Sequence, residues 1–481
     1  NYRFSIFIGL LTLVLGIIQI SCKPEIKNST PTTIDSTQTG IITKKISDYT
    51  NIIPDIYVNT LGKEILDDPK IFATLKLMVG DTLALDKTIG IELRGSSSKL
   101  FDQKSFGFEF WDNNFEGIND TIMDLPPEED FILYGPANDK SLLRNVLIYE
   151  IANQMGMYAS RTRFVNLYLN NSYNGLYVLM EKIKRDKNRV NISKLASTSN
   201  SGTGLTGGYI FKIDKSTSSN TFQQADYTAT NSFRSKYDTG GNLITFAPFG
   251  PKKNIETYFL FDYPDHDDIS TQQRQYLQNY VNEFEDSLLS VNFTDTIKGY
   301  AKFIDVNSFI ETMLLNEFSI NPDAYRLSTF FYKDKSSKIK SGPIWDYNLA
   351  FGNYDKYYIY SGTTWIFNFN NFNFPDNLWL VPFWWKRFLK DPNFVKLLKQ
   401  KWVNLRAGVL SSSNIQSIIN NKYNLLTKNN AINKQFHRWD FLGKRLAYNS
   451  YVGLTYSDEL NYLLTTIQRR LEWMDRNIQY L

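Results

Sequence analysis

Near residue 265 the spacing of apolar residues changes period, and that change limits the folds open to this chain. Before it, short segments alternate or run apolar over strand lengths: DIYVNT from Asp55, ATLKLMV from Ala73, TIGIELRG from Thr88 and KSFGFEFW from Lys104. A period of two places successive side chains on opposite faces of a pleated strand. After it, residues 305–320, 383–410 and 458–480 repeat at helical spacing. In the last of these Leu460, Leu464, Ile467, Leu471 and Met474 share one stripe. A strand-rich first half and a helix-rich second half predict an α+β architecture with two lobes.

One helix is expected inside the strand-rich half. In NDKSLLRNVLIYEIANQMG (138–156), Leu143, Leu147, Ile151 and Met155 fall on one face, with Asn138 or Asp139 as cap and Gly156 as stop. A hairpin follows over residues 163–183, its strands meeting at an Asn/Gly-rich turn. Residues 196–208, ASTSNSGTGLTGG, read as a flexible insertion, and GGYIFKID after them as another strand.

The 481 residues allow two or three globular units, or one large domain with insertions. Lys+Arg at 53 against Asp+Glu at 49 leaves +4 with no long basic run, which argues against nucleic acid as a partner. Two histidines (His266, His437) and one cysteine (Cys22) all but exclude a Cys/His zinc site, a disulfide framework and a cysteine nucleophile. A metal here would be held by carboxylates, which favours a hard cation such as Mg²⁺.

The first 21 residues carry Arg3, an apolar run from Phe4 to Ile18, and Ser21 just before Cys22. This resembles a bacterial lipoprotein signal peptide, which implies lipidation of Cys22 and a body held outside the cytoplasm at the cell envelope. An uncleaved anchor helix is the alternative. Residues 22–50 are Ser/Thr/Pro-rich without apolar period and read as a disordered tether. The expected division then runs 51–355 for a core and 356–481 for a helical region that belongs to the larger lobe.

Several common sites are absent from the sequence: a Walker-type loop, a Gly-x-Ser-x-Gly elbow and a His-Glu-x-x-His helix. Gly202, Gly204 and Gly207 match a dinucleotide glycine spacing, but they lead into a strand and read as plain linker. Residues 321–346, NPDAYRLSTFFYKDKSSKIKSGPIWD, differ in kind. Residues 329–332 and 339–344 form two apolar arms of a hairpin, with Asp323 before the first and Asp346 after the second. Phosphoryl transfer needs a carboxylate for the acceptor hydroxyl and another for Mg²⁺, with a polar residue and a cation to complete the set. A hairpin that returns the chain would let both acids face one pocket, with Ser328 five residues after Asp323. The alternative is two aspartates that merely terminate strands.

The segments IELRGSSS…QKSFGFEF (91–110), DFILYGPANDKSLLRNVLIYEIANQMG (130–156), FVNLYLNNSYNGLYVLMEKI (164–183) and NPDAYRLSTFFYKD…GPIWDYNLAFGN (321–353) resemble the spore-coat protein H (CotH) kinase family, an atypical protein-kinase-like group. The resemblance implies a kinase-like two-lobed fold and phosphorylation of protein hydroxyls that depends on ATP and on Mg²⁺ or Mn²⁺. It matches Asp323 to the catalytic aspartate and Asp346 to the metal-binding one. Ser328 stands where family members often carry Asn, and Asn348 where they often carry a second Asp. Each keeps a coordinating oxygen but weakens the charge, so a pseudokinase is an alternative. A surface adhesion or glycan-binding lipoprotein on the same fold is another, with stacking platforms in the aromatic stretch 363–385.

On that resemblance Lys104, in line with Phe106, Phe108 and Phe110 by the period of two, reaches the nucleotide phosphates; otherwise it is an edge lysine. Arg94 with the glycine and serines after it wraps phosphate or ends a strand in an ordinary turn. Arg144 and Lys140, one helical turn apart, form a phosphate-facing edge or a solvated face. Glu181 orients Lys104, touches Mg²⁺, or is an exposed strand end. Trp345 is expected to pack so as to fix Asp346.

Overall fold

The computed structural model describes residues 49, 51–216, 227–251, 253–356, 361–372 and 377–481. The expected signal peptide, Cys22 and nearly all of the tether lie outside the described residues. The α+β expectation holds, with strands in the first half and helices in the second.

The strand-rich half is a closed barrel, which alternation alone does not specify. β1 (Asp55–Asn59), β2 (Ile71–Val79), β3 (Thr82–Arg94) and β4 (Ser105–Trp111) run as an antiparallel meander. The short pair β5 (Asp120–Ile122) and β6 (Leu125–Glu128) follows, then β7 (Asp130–Tyr134), helix α1 (Arg144–Gln154) and the hairpin β8 (Thr162–Leu169) and β9 (Ser172–Glu181). The barrel order is β1-β2-β3-β4-β7-β9-β8, closed by the parallel pairing of β1 with β8. Ile56, Val58, Leu75, Leu77, Ile89, Ile91, Phe108, Phe110, Val165 and Leu179 fill its interior. Each side chain so buried contributes roughly 1.5–3 kcal/mol of transfer free energy. The β8–β9 turn is Asn170-Asn171, both at positive φ (48° and 65°), as a two-residue hairpin turn of matching twist requires.

Helix α1 starts at Arg144 rather than near 138, because Asp139 is occupied elsewhere: its carboxylate accepts from the Arg144 backbone and side chain and from the Ser141 hydroxyl. The helix is buried on nearly all sides, so its apolar stripe is only part of a larger buried surface.

Residues 196–208 contain the short helix α2 (Gly202–Leu205) and pack against the rest of the chain. The Lys333 ammonium donates to the Thr206 carbonyl, and a Cβ at Gly207 would sit 2.2 Å from the Asp334 backbone. β10 (Tyr209–Ile213) then opens a second sheet with β11 (Ser232–Arg234) and β12 (Tyr258–Tyr263). Helices α3 (Thr271–Leu289) and α4 (Val306–Ser319) lead to β13 (Thr329–Lys333) and β14 (Ile339–Ser341), giving the sheet order β11-β12-β10-β13-β14.

Residues 383–410 form two helices, α5 (Trp384–Phe388) and α6 (Pro392–Arg406), not one. Asp391 caps α6 by accepting from the Asn393 amide, and Pro392 takes a first-turn position where its missing N–H costs nothing. Helices α7 (Ser412–Lys428), α8 (Ala431–Arg438) and α9 (Tyr456–Asn477) complete the C-terminal half, α9 opening on a Thr455–Asp458 capping box. The described part of the aromatic stretch 363–385 supplies core: Ile366, Phe367, Phe369, Val381, Phe383, Trp384 and Trp385 are all buried. Those side chains are closed to stacking with a glycan.

Candidate functional site

The hairpin expected between Asp323 and Asp346 is β13–β14, paired antiparallel with Phe331 opposite Ser341. Helix α4 ends on Ile320, which takes a left-handed C-cap (φ 51°) and turns the chain into Asn321-Pro322-Asp323. Asp323 is held by its surroundings. Its N–H donates to Asn321 Oδ1 at 3.2 Å, and Arg326 Nη2 donates to its Oδ1 at 3.2 Å. Arg326 is itself fixed, with Nε on the Pro322 carbonyl (2.8 Å), Nη1 on the Trp379 carbonyl (3.1 Å) and its plane over Phe369.

At the other mouth Asp346 sits at φ 62° and Ser328 at φ 47°. Left-handed backbone is unfavourable for residues with a Cβ, by roughly 1–2 kcal/mol. Asp346 is pinned there because its N–H donates to the Tyr149 hydroxyl at 3.0 Å. Trp345 stacks on Tyr149 with ring centres 6.1 Å apart, and the Arg94 guanidinium lies 5.4 Å over Trp345. The expectation that Trp345 fixes Asp346 describes this stack.

Asp323, Ser328, Asp346 and Asn348 line one cleft of about 720 Å³, together with Arg94, Ser96 and Ser98 at the end of β3. Asp214 and Lys215, just beyond β10, line it as well. Pairing of β10 with β13 sets Ile213 opposite Thr329, which brings Asp214 level with Ser328. Burial pushes the Asp346 carboxyl up to about 7; the negative charges of Asp323 and Asp214 push the same way, and Lys215 and Arg94 oppose them. Asp214 is also raised, chiefly by burial. The three carboxylates share the cleft without closing on one another: among the described residues, the acidic groups that gather within 4.8 Å are elsewhere.

Four expected residues stand outside this cleft. Lys104 precedes β4 by one residue and donates from Nζ to the Lys99 carbonyl at 2.6 Å, while Phe106, Phe108 and Phe110 point into the barrel. Arg144 is fully buried, paired with Asp139 at 2.6 Å and donating from Nε to the Ala350 carbonyl. Lys140 is buried too, bonded to the Lys444 carbonyl, so this helix edge faces neither phosphate nor solvent. Glu181 is buried and takes both Nε and Nη2 of Arg161. Sequence reasoning missed Asp214 and Lys215. The signal was present in GGYIFKIDK, a strand whose polar end would meet the cleft if it paired with TFFYK.

A comparison with curated proteins found no match. The sequence pattern of the family described as CotH kinase protein matches residues 91–474, which takes in the barrel from the end of β3 onward, the cleft residues Arg94, Asp214, Asp323 and Asp346, and helices α1 to α8 with most of α9. Two aspartates converge from the mouths of one hairpin inside that match, and by its extent over most of the sequence the chain belongs to the CotH kinase family.

Proposed function

We propose that this protein is an atypical protein kinase that transfers phosphate from ATP, with Mg²⁺ or Mn²⁺, to Ser/Thr hydroxyls of proteins outside the cytoplasm. In this reading the barrel and the helical half are its two lobes, and Cys22 carries a lipid that anchors it to a membrane of the cell envelope. The observation that carries the catalytic part is the shared cleft: Asp323 before β13 and Asp346 after β14 both reach it at the open end of the hairpin, and Arg94 lines it with them.

The donor set fits a hard divalent cation. Asp346 and Asp214 are half-buried carboxylates lining the cleft, Ser328 offers a hydroxyl, and Asn348 gives its Nδ2 proton to Asn138 Oδ1 (3.0 Å), which leaves its amide oxygen as the coordinating end. When bound, such a cation neutralises charge on the phosphate oxygens. Asp323, steadied by Arg326, orients the acceptor hydroxyl and takes its proton. Arg94, placed 5.4 Å over the Trp345 ring, supplies a positive charge beside the phosphates.

The test is phosphate transfer and Mg²⁺-ATP binding, each by wild type and by Asp323→Asn. Transfer is expected to fall by about 10³-fold or more while ATP affinity stays within about threefold. An unchanged rate in the variant removes Asp323 from its role. ATP binding without transfer in the wild type makes the protein a pseudokinase, and no ATP binding at all ends the kinase reading.

A further inference from the structure

The cleft contains more cations than the mechanism above uses, and they are not equivalent. Arg94, Lys99, Lys212 and Lys215 all line it. Lys99 is paired with Asp67, and Lys212 with Asp262 at 2.6 Å. Among the described residues, neither Arg94 nor Lys215 has an acid within the 4.0 Å of an ion pair. Arg94 projects from the barrel wall and Lys215 from the second sheet, so the two uncommitted charges face the hairpin acids from different elements.

Lys215 is also held in place. Its ammonium lies 5.5 Å from the centre of the Trp379 ring. That ring donates from Nε1 to the Tyr227 hydroxyl at 2.9 Å, and the same hydroxyl donates to the Asp214 carbonyl at 2.5 Å. The Lys215 N–H closes a turn on Asp214 Oδ1 at 2.8 Å. Backbone and ring are thereby tied together, and the lysine stem runs between two fixed points.

Resting on the kinase reading, we infer that Lys215 is the lysine that binds the nucleotide phosphates in this protein, a role that Lys104 does not fill. A cation that lies near carboxylates without pairing to them is spare charge. A polyphosphate is the class of ligand that takes up two such charges together with a divalent cation, and an ammonium with three rotatable donors suits its oxygens. Lys104 has its ammonium on a backbone carbonyl and does not border the cleft.

The experiment measures binding of Mg²⁺-ATP and of adenosine by calorimetry, using the full chain as wild type, Lys215→Met, Lys215→Arg and Lys104→Met, with thermal melting of each. Lys215→Met is expected to lose at least tenfold in ATP affinity, with adenosine affinity within twofold. Lys215→Arg keeps part of the ATP affinity, and Lys104→Met stays within twofold of wild type. Equal loss of ATP and adenosine in Lys215→Met, or an ATP loss in Lys104→Met alone, overturns the assignment and leaves the kinase reading standing. Should wild type bind no ATP, the kinase reading fails and this inference fails with it.

Discussion

Two groups of acids in this molecule contrast sharply. At the lip of the barrel Glu128, Glu129 and Asp130 gather within ligand distance of one another, yet every one has a cation. Lys184 reaches all three, Lys70 and Lys182 reach Asp130 at 3.4 and 3.5 Å, and Arg189 reaches Glu128 at 3.3 Å. In the cleft, Asp214 and Asp346 have no cation within 4.0 Å among the described residues, and Asp323 has only Arg326. The consequences are opposite. The lysines hold Asp130 well below the usual carboxylate range despite its burial, whereas burial and like charge push Asp346 up to about 7. The denser acidic cluster is therefore a fastening, and the looser one is the candidate site. Proximity of carboxylates carries less information than what neutralises them.

Breaking the fastening gives the largest expected effect on stability. Asp130→Asn strips a shared partner from Lys70, Lys182 and Lys184; Lys70 keeps Glu109 and Lys184 keeps Glu128 and Glu129, while Lys182 loses its acid. Removing one member of a buried pair costs about 3–5 kcal/mol, and partial exposure of these lysines brings that to about 3 kcal/mol. The sign follows from the lowered carboxyl: its stabilisation is complete above the ordinary aspartate pKa and is lost as pH falls through the native value. Urea denaturation at pH 7 and pH 3 checks it, with the wild type's advantage only beginning to shrink at pH 3 and vanishing in stronger acid. The cleft should respond in the other direction. In a chelator at pH 8, Asp346→Asn removes a charge that folding has forced into a poor environment, so the variant is expected to be about 2 kcal/mol more stable than wild type. Added Mg²⁺ should then raise the melting temperature of wild type only. A variant less stable than wild type in chelator would show that Asp346 is fastened like Asp130.

What the sequence disclosed divides along local and non-local lines. Asp323 and Asp346 were legible because they sit on the ends of one hairpin, and a hairpin's geometry is written in its own residues. Barrel strands β1 to β4 were legible from alternation, and α4 from its helical spacing; in the structure Asp305 caps it, its side chain accepting from the Ser308 amide. Barrel closure was not, since nothing within β1 or β8 says that Asp55 will lie beside Asn166. Asp214 and Lys215 stayed hidden for the same reason: only the register of β10 on β13, over a hundred residues later, brings them to the cleft. The misplacement of Lys104 has a smaller cause. It lies one residue before β4, where the pleat no longer dictates direction, and its long stem folds back onto Lys99. Arg144 and Glu181 were read as surface or pocket charges although their partners are local: Asp139 lies five residues before Arg144, and Arg161 stands across the β8–β9 hairpin from Glu181, so the miss was of burial and not of distance along the chain.

The smallest effect is the sharpest test of the contrast, because it concerns an acid with a raised pKa and no cleft. Glu285 on α3 is fully buried, and burial pushes its carboxyl up to about 7. Its partners are the Ser235 hydroxyl and the Trp384 indole N–H, both neutral. Below the ordinary glutamate value, native and unfolded chains are both protonated. As pH rises toward 7 the unfolded chain releases its proton first, so native stability falls, and above 7 the loss is complete. Glu285→Gln lacks that titration and keeps an acceptor for both partners, though its second amide proton finds no ready acceptor. The upper bound of about 3 kcal/mol is therefore reduced to about 1–2 kcal/mol of gain at pH 8, fading to nearly nothing at about pH 4. Melting curves at the two pH values measure it, and Mg²⁺ should leave the difference unchanged. A Mg²⁺ response at Glu285 would place a second charged centre behind α3 and dissolve the distinction between a buried acid that is merely tolerated and one that waits for a cation.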